Sequence, residues 1–247
     1  MIEVAVIIPA LNEAGNIARL VEEVYHLHLS QVKLSVLVVD NGSNDATAAE
    51  AIASGAQVVY EARRGYGYAC AAGVAAAGSV AAGGAEILAF LDGDFSSLPA
   101  ELPLILAPLL TGQADLVQGS RELGEITPGA MPLHQRMGNR LATGLIRLLY
   151  GLPLTDLGPY RAIRRQALLG LHMRENTYGW PTEMTVKAAR QGLCLIEVPV
   201  SFHPRRAGRS KVSGTLRGTL LAAWFILGVT IRYAWGKGAR RAGQRRV

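Results

Sequence analysis

Two aspartates separated by one glycine form the most chemically specific feature of this sequence. Asp92, Gly93 and Asp94 directly follow the apolar run Ile87-Leu88-Ala89-Phe90-Leu91, so both carboxylates leave a predicted strand at the same end. Carboxylate oxygens suit Mg²⁺ or Mn²⁺, and such ions bridge protein acids to phosphate oxygens. The pair predicts a metal and phosphate site in which Asp94 takes a catalytic part, whereas an ordinary acidic turn is the alternative for so short a motif.

Polar or turn-forming residues also follow the three earlier predicted strands. They are Pro9, Leu11, Asn12 and Glu13 after the first, Asp40, Gly42 and Ser43 after the second, and Arg64, Gly65 and Gly67 after the third. A carboxylate at the position of Asp40 can accept a hydrogen bond from a base or a ribose hydroxyl. Glycines before a helix let backbone amides approach a phosphate. Tight-turn formation alone explains many of the same residues.

Alternating short apolar runs and helical patterns position these motifs. Strands are predicted at 4–9, 34–40, 57–61 and 87–92, and helices at 14–26, 45–54, 66–77 and 100–110. Such a series predicts an α/β fold with a doubly wound, mostly parallel sheet that carries helices on both faces. Ligands of these sheets bind beyond the carboxyl ends of the strands. We therefore expect four strand ends to meet at one crevice.

The second half of the chain supplies cations instead of a compact motif. A loop at 122–133 is a candidate lid, and a basic amphipathic helix is predicted at 134–150. Guanidinium and ammonium groups match phosphate oxygens. The residues that we predict to bind an acceptor phosphate are Arg121, Arg136, Arg140, Arg161, Arg205, Arg209 and Lys211.

The need for a catalytic base depends on the acceptor. A phosphate acceptor is already an anionic nucleophile, whereas a hydroxyl acceptor requires a carboxylate to take its proton. Asp156 and Glu183 are the candidate bases, although Glu183 begins a predicted helix, where an acid is ordinary. His203 is a candidate ligand of the metal or the diphosphate, but a single histidine is more often structural.

The C-terminal segment contains an uncharged stretch from 218 to 231. This stretch is shorter than the about 20 residues of an ordinary membrane crossing. Trp224, Tyr233 and Trp235, with flanking cations, are typical of an anchor in the membrane interface. A helix that docks on the domain, or in a contact between copies of a homo-oligomer, is an equally good interpretation.

Composition narrows the class of protein. The 247 residues, 50% of them hydrophobic, favour one large domain at 1–212 and an appendage at 213–247. The net charge of +6 is concentrated near the C-terminus, which favours an anionic membrane surface over nucleic acid as a partner. Cys70 and Cys194 suggest neither a disulfide framework nor a zinc site. Without a signal-peptide pattern at the start, we expect a cytoplasmic protein that associates peripherally with the membrane.

Four motifs occur in order and resemble a known family. They are Pro9-Ala10-Leu11-Asn12-Glu13, the run from Val38 to Thr47 (VVDNGSNDAT), Gly65-Tyr66-Gly67, and Leu91-Asp92-Gly93-Asp94. The chain resembles family 2 glycosyltransferases of the GT-A fold over roughly its first two thirds. It is most similar to the branch of dolichyl-phosphate mannose synthases and polyprenyl-phosphate glycosyltransferases.

The resemblance implies roles for particular residues. Glu13 and Asp40 would contact the ribose and base, Arg64 the base or phosphates, and Asp92 and Asp94 the metal, while Pro9 would shape the pocket. Relatives often have glutamine two residues after the second aspartate, where this chain has Ser96. The third metal ligand is therefore open.

The resemblance also implies a reaction that depends on Mg²⁺ or Mn²⁺. A sugar would pass from a UDP-sugar, or alternatively from GDP-mannose, with inversion to a polyprenyl phosphate or another lipid-linked acceptor. A soluble hydroxyl acceptor is the nearest alternative. A nucleotidyltransferase of similar fold would carry a glycine-rich basic signature after the first strand, where this chain has Asn12 and Glu13. A non-catalytic membrane scaffold is disfavoured by the acids retained at the strand ends.

Overall fold

The computed structural model describes residues 1–79, 84–207 and 216–234, with the backbone alone for 216–223. In this part of the chain, seven strands form one sheet in the order β3-β2-β1-β4-β6-β5-β7. The strands are β1 (Ile2–Ala10), β2 (Val32–Asp40), β3 (Gln57–Tyr60), β4 (Ile87–Phe90), β5 (Leu116–Ser120), β6 (Arg161–Arg164) and β7 (Leu195–Pro199). Only β6 runs against the others in this sheet. The predicted mostly parallel α/β sheet is confirmed.

Helices cover both faces of the sheet. They are α1 (Ile17–Tyr25), α2 (Thr47–Ala53), α3 (Tyr66–Ala77), α4 (Leu102–Leu110), α5 (Leu133–Tyr150), α6 (Arg165–Leu171), α7 (Trp180–Gln191) and α8 (Leu216–Arg232), and a 3₁₀ turn at Pro99–Glu101 precedes α4. Because successive side chains of β1 point to opposite faces, Val6 and Ile8 pack with α1 and α4, whereas Ile7 packs with α3 and α7. Each such buried aliphatic side chain contributes about 1.5–3 kcal/mol to folding.

Strand β6 is the element that the sequence pattern does not reveal. It has four residues and an arginine at each end, so it lacks the apolar run of a buried strand. It lies antiparallel between β4 and β5, with Phe90 opposite Arg161. The loop that leads into β6 therefore arrives at the carboxyl end of β4, beside the aspartate pair.

The described end of α8 docks on the domain. Val229 and Thr230 are buried, and the Tyr150 hydroxyl donates to the Thr230 carbonyl at 2.6 Å. The Tyr233 hydroxyl donates to the Glu183 carboxylate at 2.6 Å. No helix among the described residues is long and apolar enough to cross a membrane. Trp235, the basic tail and the predicted boundary at 212/213 lie outside the described residues.

A pair of glycine substitutions tests this packing. A Cβ added at Gly67 in α3 would lie 2.6 Å from the Asn176 carbonyl carbon, which leaves no space for a methyl group. We expect Gly67→Ala to reduce the free energy of unfolding by about 1–3 kcal/mol.

The matched control is Gly144→Ala in α5, where an added Cβ meets nothing within 4 Å. This change should stabilise the helix by about 0.5–1 kcal/mol. Urea unfolding followed by circular dichroism measures both variants. Equal stability of the two variants would show that α3 does not pack against the 175–176 backbone as described.

Candidate functional site

A cavity of about 650 Å³ opens beyond the carboxyl ends of the strands. One wall comes from residues that follow β1, β2, β3 and β4, and the opposite wall comes from α5, α8 and the loops around them. The strand-end wall contains Pro9, Ala10, Leu11, Glu13, Asn41, Arg64, Gly65, Asp92, Gly93, Asp94 and Ser96. Four strand ends thus meet at one crevice.

Asp92 and Asp94 form the acidic floor of this cavity. The Tyr66 hydroxyl donates to Asp92 Oδ1 at 3.2 Å, and the Ser96 amide donates to Asp94 Oδ1 at 2.9 Å. Loss of hydration, followed by the charge of Asp94, raises the pKa of Asp92 to about 7. The nearby positive charge does not fully stabilise the ionised form of Asp92, and a divalent cation would supply the missing charge.

Arg205 provides the counter-charge that the protein itself brings to these acids. Its guanidinium lies 3.2 Å from the Asp94 carboxylate and 2.5 Å from that of Glu13. Asn16 Nδ2 donates to Glu13 at 3.0 Å and to the Ala207 carbonyl at 3.3 Å. The 203–207 segment is thereby held against the ends of β1 and β4.

Side-chain amides and hydroxyls tie the first three strand ends together. The backbone N–H of Asn12 donates to Ser43 Oγ at 2.9 Å, and the backbone N–H of Ser43 donates to the Asp40 carboxylate at 2.8 Å. Asn41 Nδ2 donates to the carbonyl of Arg63 at 2.7 Å, while its Oδ1 accepts from the Gly65 amide at 2.9 Å. These hydrogen bonds link the loops after β1, β2 and β3 to one another.

Several residues predicted to bind the donor lie near the same strand ends but do not line the cavity. They are Asn12, Asp40, Gly42, Ser43 and Gly67. Gly42 has φ of +84° and faces the Arg64 guanidinium, where an added Cβ would lie 3.2 Å from Nε. A left-handed backbone and this close approach both favour glycine. Their contacts in this structure hold the loops at the strand ends, and their binding of the donor stays a prediction.

Arg121 is the cation that the second half of the chain brings to the cavity wall. Its Nε and Nη2 each donate to Asp156 at 2.7 Å, and its guanidinium lies 5.0 Å from the Phe202 ring centre. Within the described residues no hydrogen bond engages Arg121 Nη1. The pair with Asp156 fixes the guanidinium and leaves one edge for an anion.

The two candidate bases are engaged elsewhere. Burial opposes the ionisation of Asp156, but the hydrogen bonds and charge of Arg121 outweigh it and lower the pKa of Asp156. Glu183 is buried and accepts from the Glu175 amide at 2.7 Å, from Tyr233 and from Lys187. Neither carboxylate lines the cavity, so their contacts support structural roles.

Other sequence-predicted ligands are also placed away from the acidic floor. Arg161 is buried and donates to the carbonyls of Gly158 and Pro181. Arg136 pairs with Glu122 at 2.7 Å, and Arg140 is exposed on α5. Burial and pairing keep the first two from an acceptor phosphate in this structure. Arg209 and Lys211 lie outside the described residues.

His203 does not join the aspartates. Its Nδ1 lies 2.9 Å from Thr127 Oγ1, and its Nε2 lies 2.9 Å from Ser201 Oγ. In the part of the chain that the structure describes, no group of three or more His, Cys, Asp or Glu side chains is arranged to hold a metal. A cation at Asp92 and Asp94 would need further oxygens from its ligand or from water.

Comparison with known proteins decides the family. Residues 5–170 match the sequence profile of Glycosyl transferase family 2. An uncharacterized glycosyltransferase of Mycobacterium tuberculosis is 39% identical over 219 residues, which cover 89% of this chain and 94% of that protein. The chain belongs to glycosyltransferase family 2. The family predicted from the four motifs is therefore confirmed.

Two further similarities are to proteins whose names state an activity. It is 32% identical to the polyprenol monophosphomannose synthase of Mycolicibacterium smegmatis over 234 residues, covering 90% of this chain and 87% of that protein. A crystal structure of glucosyl-3-phosphoglycerate synthase from M. tuberculosis, with Mn²⁺, UDP-glucose and phosphoglyceric acid, superposes with a TM-score of 0.73. That chain is 25% identical, with coverage of 94% of this chain and 79% of the other.

Sequence reasoning missed part of the glycosyltransferase cavity. Tyr66 and Asn41 stand inside quoted motifs, so their positions could have been found there. The wall from α5 and α8 carries no motif, and the available signal was the uncharged stretch that precedes Tyr233. Its lining residues are His134, Gln135, Gly138, Asn139, Leu141, Ala142, Phe225, Ile226 and Leu227.

Removal of one floor carboxylate should stabilise the metal-free glycosyltransferase. Folding raises the pKa of Asp92 from 3.8 to about 7. The free energy of unfolding therefore falls as pH rises from about 4 to about 7, and the full loss is present above that range. Asp92→Asn removes this charge. We expect its Tm to exceed that of the wild type by about 5 °C at pH 8, with a smaller gain at pH 4.

Differential scanning fluorimetry in EDTA across this pH range measures the effect. Glu22→Gln, which neutralises an exposed acid on α1, is the matched control and should leave Tm nearly unchanged. A gain in Tm for Asp92→Asn that does not depend on pH would contradict a cost of ionising Asp92 in the folded protein.

Proposed function

We propose that this glycosyltransferase moves a hexosyl group from a nucleoside diphosphate sugar to the phosphate of a polyprenyl phosphate, with Mg²⁺ or Mn²⁺ as cofactor. A UDP-sugar is the favoured donor, with GDP-mannose as the alternative. In this proposal residues 1–212 form the catalytic domain, 213–247 form an appendage, and the enzyme works as a peripheral protein on the cytoplasmic side of a membrane.

One observation carries the choice of acceptor. In the described part of the chain, the carboxylates that line the cavity are Glu13, Asp92 and Asp94. Arg205 pairs with both Glu13 and Asp94, and Asp92 and Asp94 would form the metal pair. Among the described lining residues no further carboxylate is present to deprotonate a hydroxyl, so an acceptor that is already anionic suits this site.

The donor end of the cavity matches a sugar diphosphate. Asp92 and Asp94 would hold the cation, which supplies charge neutralisation for the departing nucleoside diphosphate. Arg64 and Arg205 line the same end and add positive charge. Gly65 also lines this end, at the start of α3. The solved relative that contains Mn²⁺ and UDP-glucose supports this assignment.

The acceptor end pairs a fixed cation with apolar surface. Arg121 offers its Nη1 edge to a phosphate oxygen, while Phe202, Phe225 and Leu141 line the wall around it. A phosphate oxygen held there attacks the anomeric carbon from the side opposite the diphosphate, so a single displacement with inversion follows. The similarity to polyprenol monophosphomannose synthase supports a lipid phosphate over a soluble one.

The decisive experiment is a matrix of donors and acceptors read by mass spectrometry. UDP-glucose and GDP-mannose are each offered with polyprenyl phosphate, the matching polyprenol and phosphoglyceric acid. We expect product only with polyprenyl phosphate, loss of product in EDTA, and recovery with Mg²⁺ or Mn²⁺. Asp94→Asn should lower the rate at least about a hundredfold. Product with polyprenol or phosphoglyceric acid alone would refute the lipid-phosphate acceptor.

Arg121 gives a second test that separates acceptor from donor. Arg121→Lys keeps the charge but loses the fork that pairs with Asp156. We expect KM for polyprenyl phosphate to rise about tenfold or more, while KM for the sugar nucleotide stays within about twofold. Arg136→Lys, at an ion pair outside the cavity, is the control. Equal effects of both variants on both KM values would remove Arg121 from the acceptor site.

A further inference from the structure

Helix α5 leaves a row of large apolar side chains open to solvent. Leu133, Met137, Leu141 and Leu148 are exposed by 73%, 61%, 64% and 80%. Residues three or four positions apart share a helix face, and Leu148 continues the row one heptad after Leu141. Trp224 on α8 is exposed by 76%. These five residues are called the apolar face below.

The charged residues that α5 and α8 themselves carry have one sign. Neither α5 nor α8 contains an aspartate or glutamate. Arg140 and Arg147 on α5 are exposed, so cations and apolar side chains alternate along this helix. Isolated exposed apolar residues are common, but a contiguous row of them marks an interaction surface.

The apolar face continues directly into the cavity. Leu141 belongs to the face and also lines the cavity, together with His134 and Gly138 of the same helix. On α8, Phe225 to Leu227 line the cavity immediately after Trp224. A ligand whose charged head binds in the cavity could therefore extend a hydrocarbon tail along this face.

We infer that the apolar face docks on the surface of an anionic bilayer, so that α5 and the described end of α8 lie in the membrane interface around the cavity mouth. This inference rests on the proposed function, since a lipid acceptor is what such a position would serve. Apolar side chains on one helix face and cations beside them are the composition of interfacial helices. Tryptophan is enriched at the same depth.

A second copy of the chain is a poorer occupant. An isologous contact across this face would bring Arg140 and Arg147 toward their own copies without any acid on α5 or α8 to balance them. Such a contact would also cover the cavity mouth. Anionic lipid headgroups match the cations, while acyl chains match the leucines and the tryptophan.

The test is co-sedimentation of the full chain with vesicles of phosphatidylcholine, with or without phosphatidylglycerol. The variant Met137→Gln/Leu148→Gln/Trp224→Gln alters three members of the face that do not line the cavity. We expect its partition into phosphatidylglycerol vesicles to fall at least about tenfold. Arg140→Gln/Arg147→Gln should weaken binding to these vesicles and reduce its salt dependence.

The matched control is Ile52→Gln/Leu104→Gln/Leu169→Gln, which removes three exposed apolar residues from α2, α4 and α6. It should bind vesicles as the wild type does, and circular dichroism checks that each variant folds. All variants keep the basic C-terminal tail, so a difference in vesicle binding between the two triple variants is caused by the apolar face. Equal binding of these two variants would overturn the inference.

Quenching by brominated lipid gives an independent readout. In a Trp235→Phe background, tryptophan fluorescence should be quenched by vesicles with bromine near the headgroup, and a further Trp224→Phe change should remove most of that quenching. Light scattering measures oligomeric state in the same samples. A wild-type dimer that the face variant converts to a monomer, without vesicle binding by either, would assign the face to a second copy and overturn the inference.

These measurements need neither donor nor acceptor, so they separate the two proposals. Vesicle binding through the face, together with no transfer to polyprenyl phosphate, would refute the proposed acceptor and leave the docking surface standing. Transfer to a short-chain, water-soluble polyprenyl phosphate without vesicle binding would refute the docking surface and leave the acceptor standing.

Discussion

Three carboxylates meet at one end of the sheet, where partial burial weakens the solvent screening of their charges. Glu13 follows β1, and Asp92 and Asp94 follow β4, so parallel neighbouring strands bring them together. Ion pairs and a hydrogen bond from neighbouring residues reduce the repulsion between these carboxylates. Arg205 holds the 203–207 segment against two of the acids, and Tyr66 donates to the third. A divalent cation between Asp92 and Asp94 would relieve this unfavourable charge arrangement.

A second ion pair sets the geometry of the opposite wall. Asp156 lies in the loop before β6, and Arg121 directly follows β5. Because β6 is inserted antiparallel beside β5, the loop returns to the strand end where Arg121 begins. The buried pair costs desolvation, which two short hydrogen bonds offset. Its consequence is a guanidinium with a fixed orientation rather than a mobile surface cation.

The two walls of the cavity differ in chemistry: one is charged and the other adds apolar surface. Acids and arginines lie at the strand ends, whereas Phe225 to Leu227 of α8 and Leu141 and Ala142 of α5 add apolar surface. The apolar face extends this division to the molecular surface. Helix α8 takes part because Tyr233 and Thr230 fasten its described end to α7 and α5. Docking on the domain and contact with a membrane are therefore compatible for the same helix.

The sequence alone determined the family, the doubly wound sheet and the acidic strand ends, because apolar runs and the turn residues after them are local signals. It could not separate residues that line the cavity from those that shape loops, such as Asp40 and Asn12. It also could not show that Asp156 and Glu183 are engaged by Arg121 and Tyr233. These pairings join residues 35 and 50 positions apart, so only the tertiary structure decided which charges stay free for chemistry.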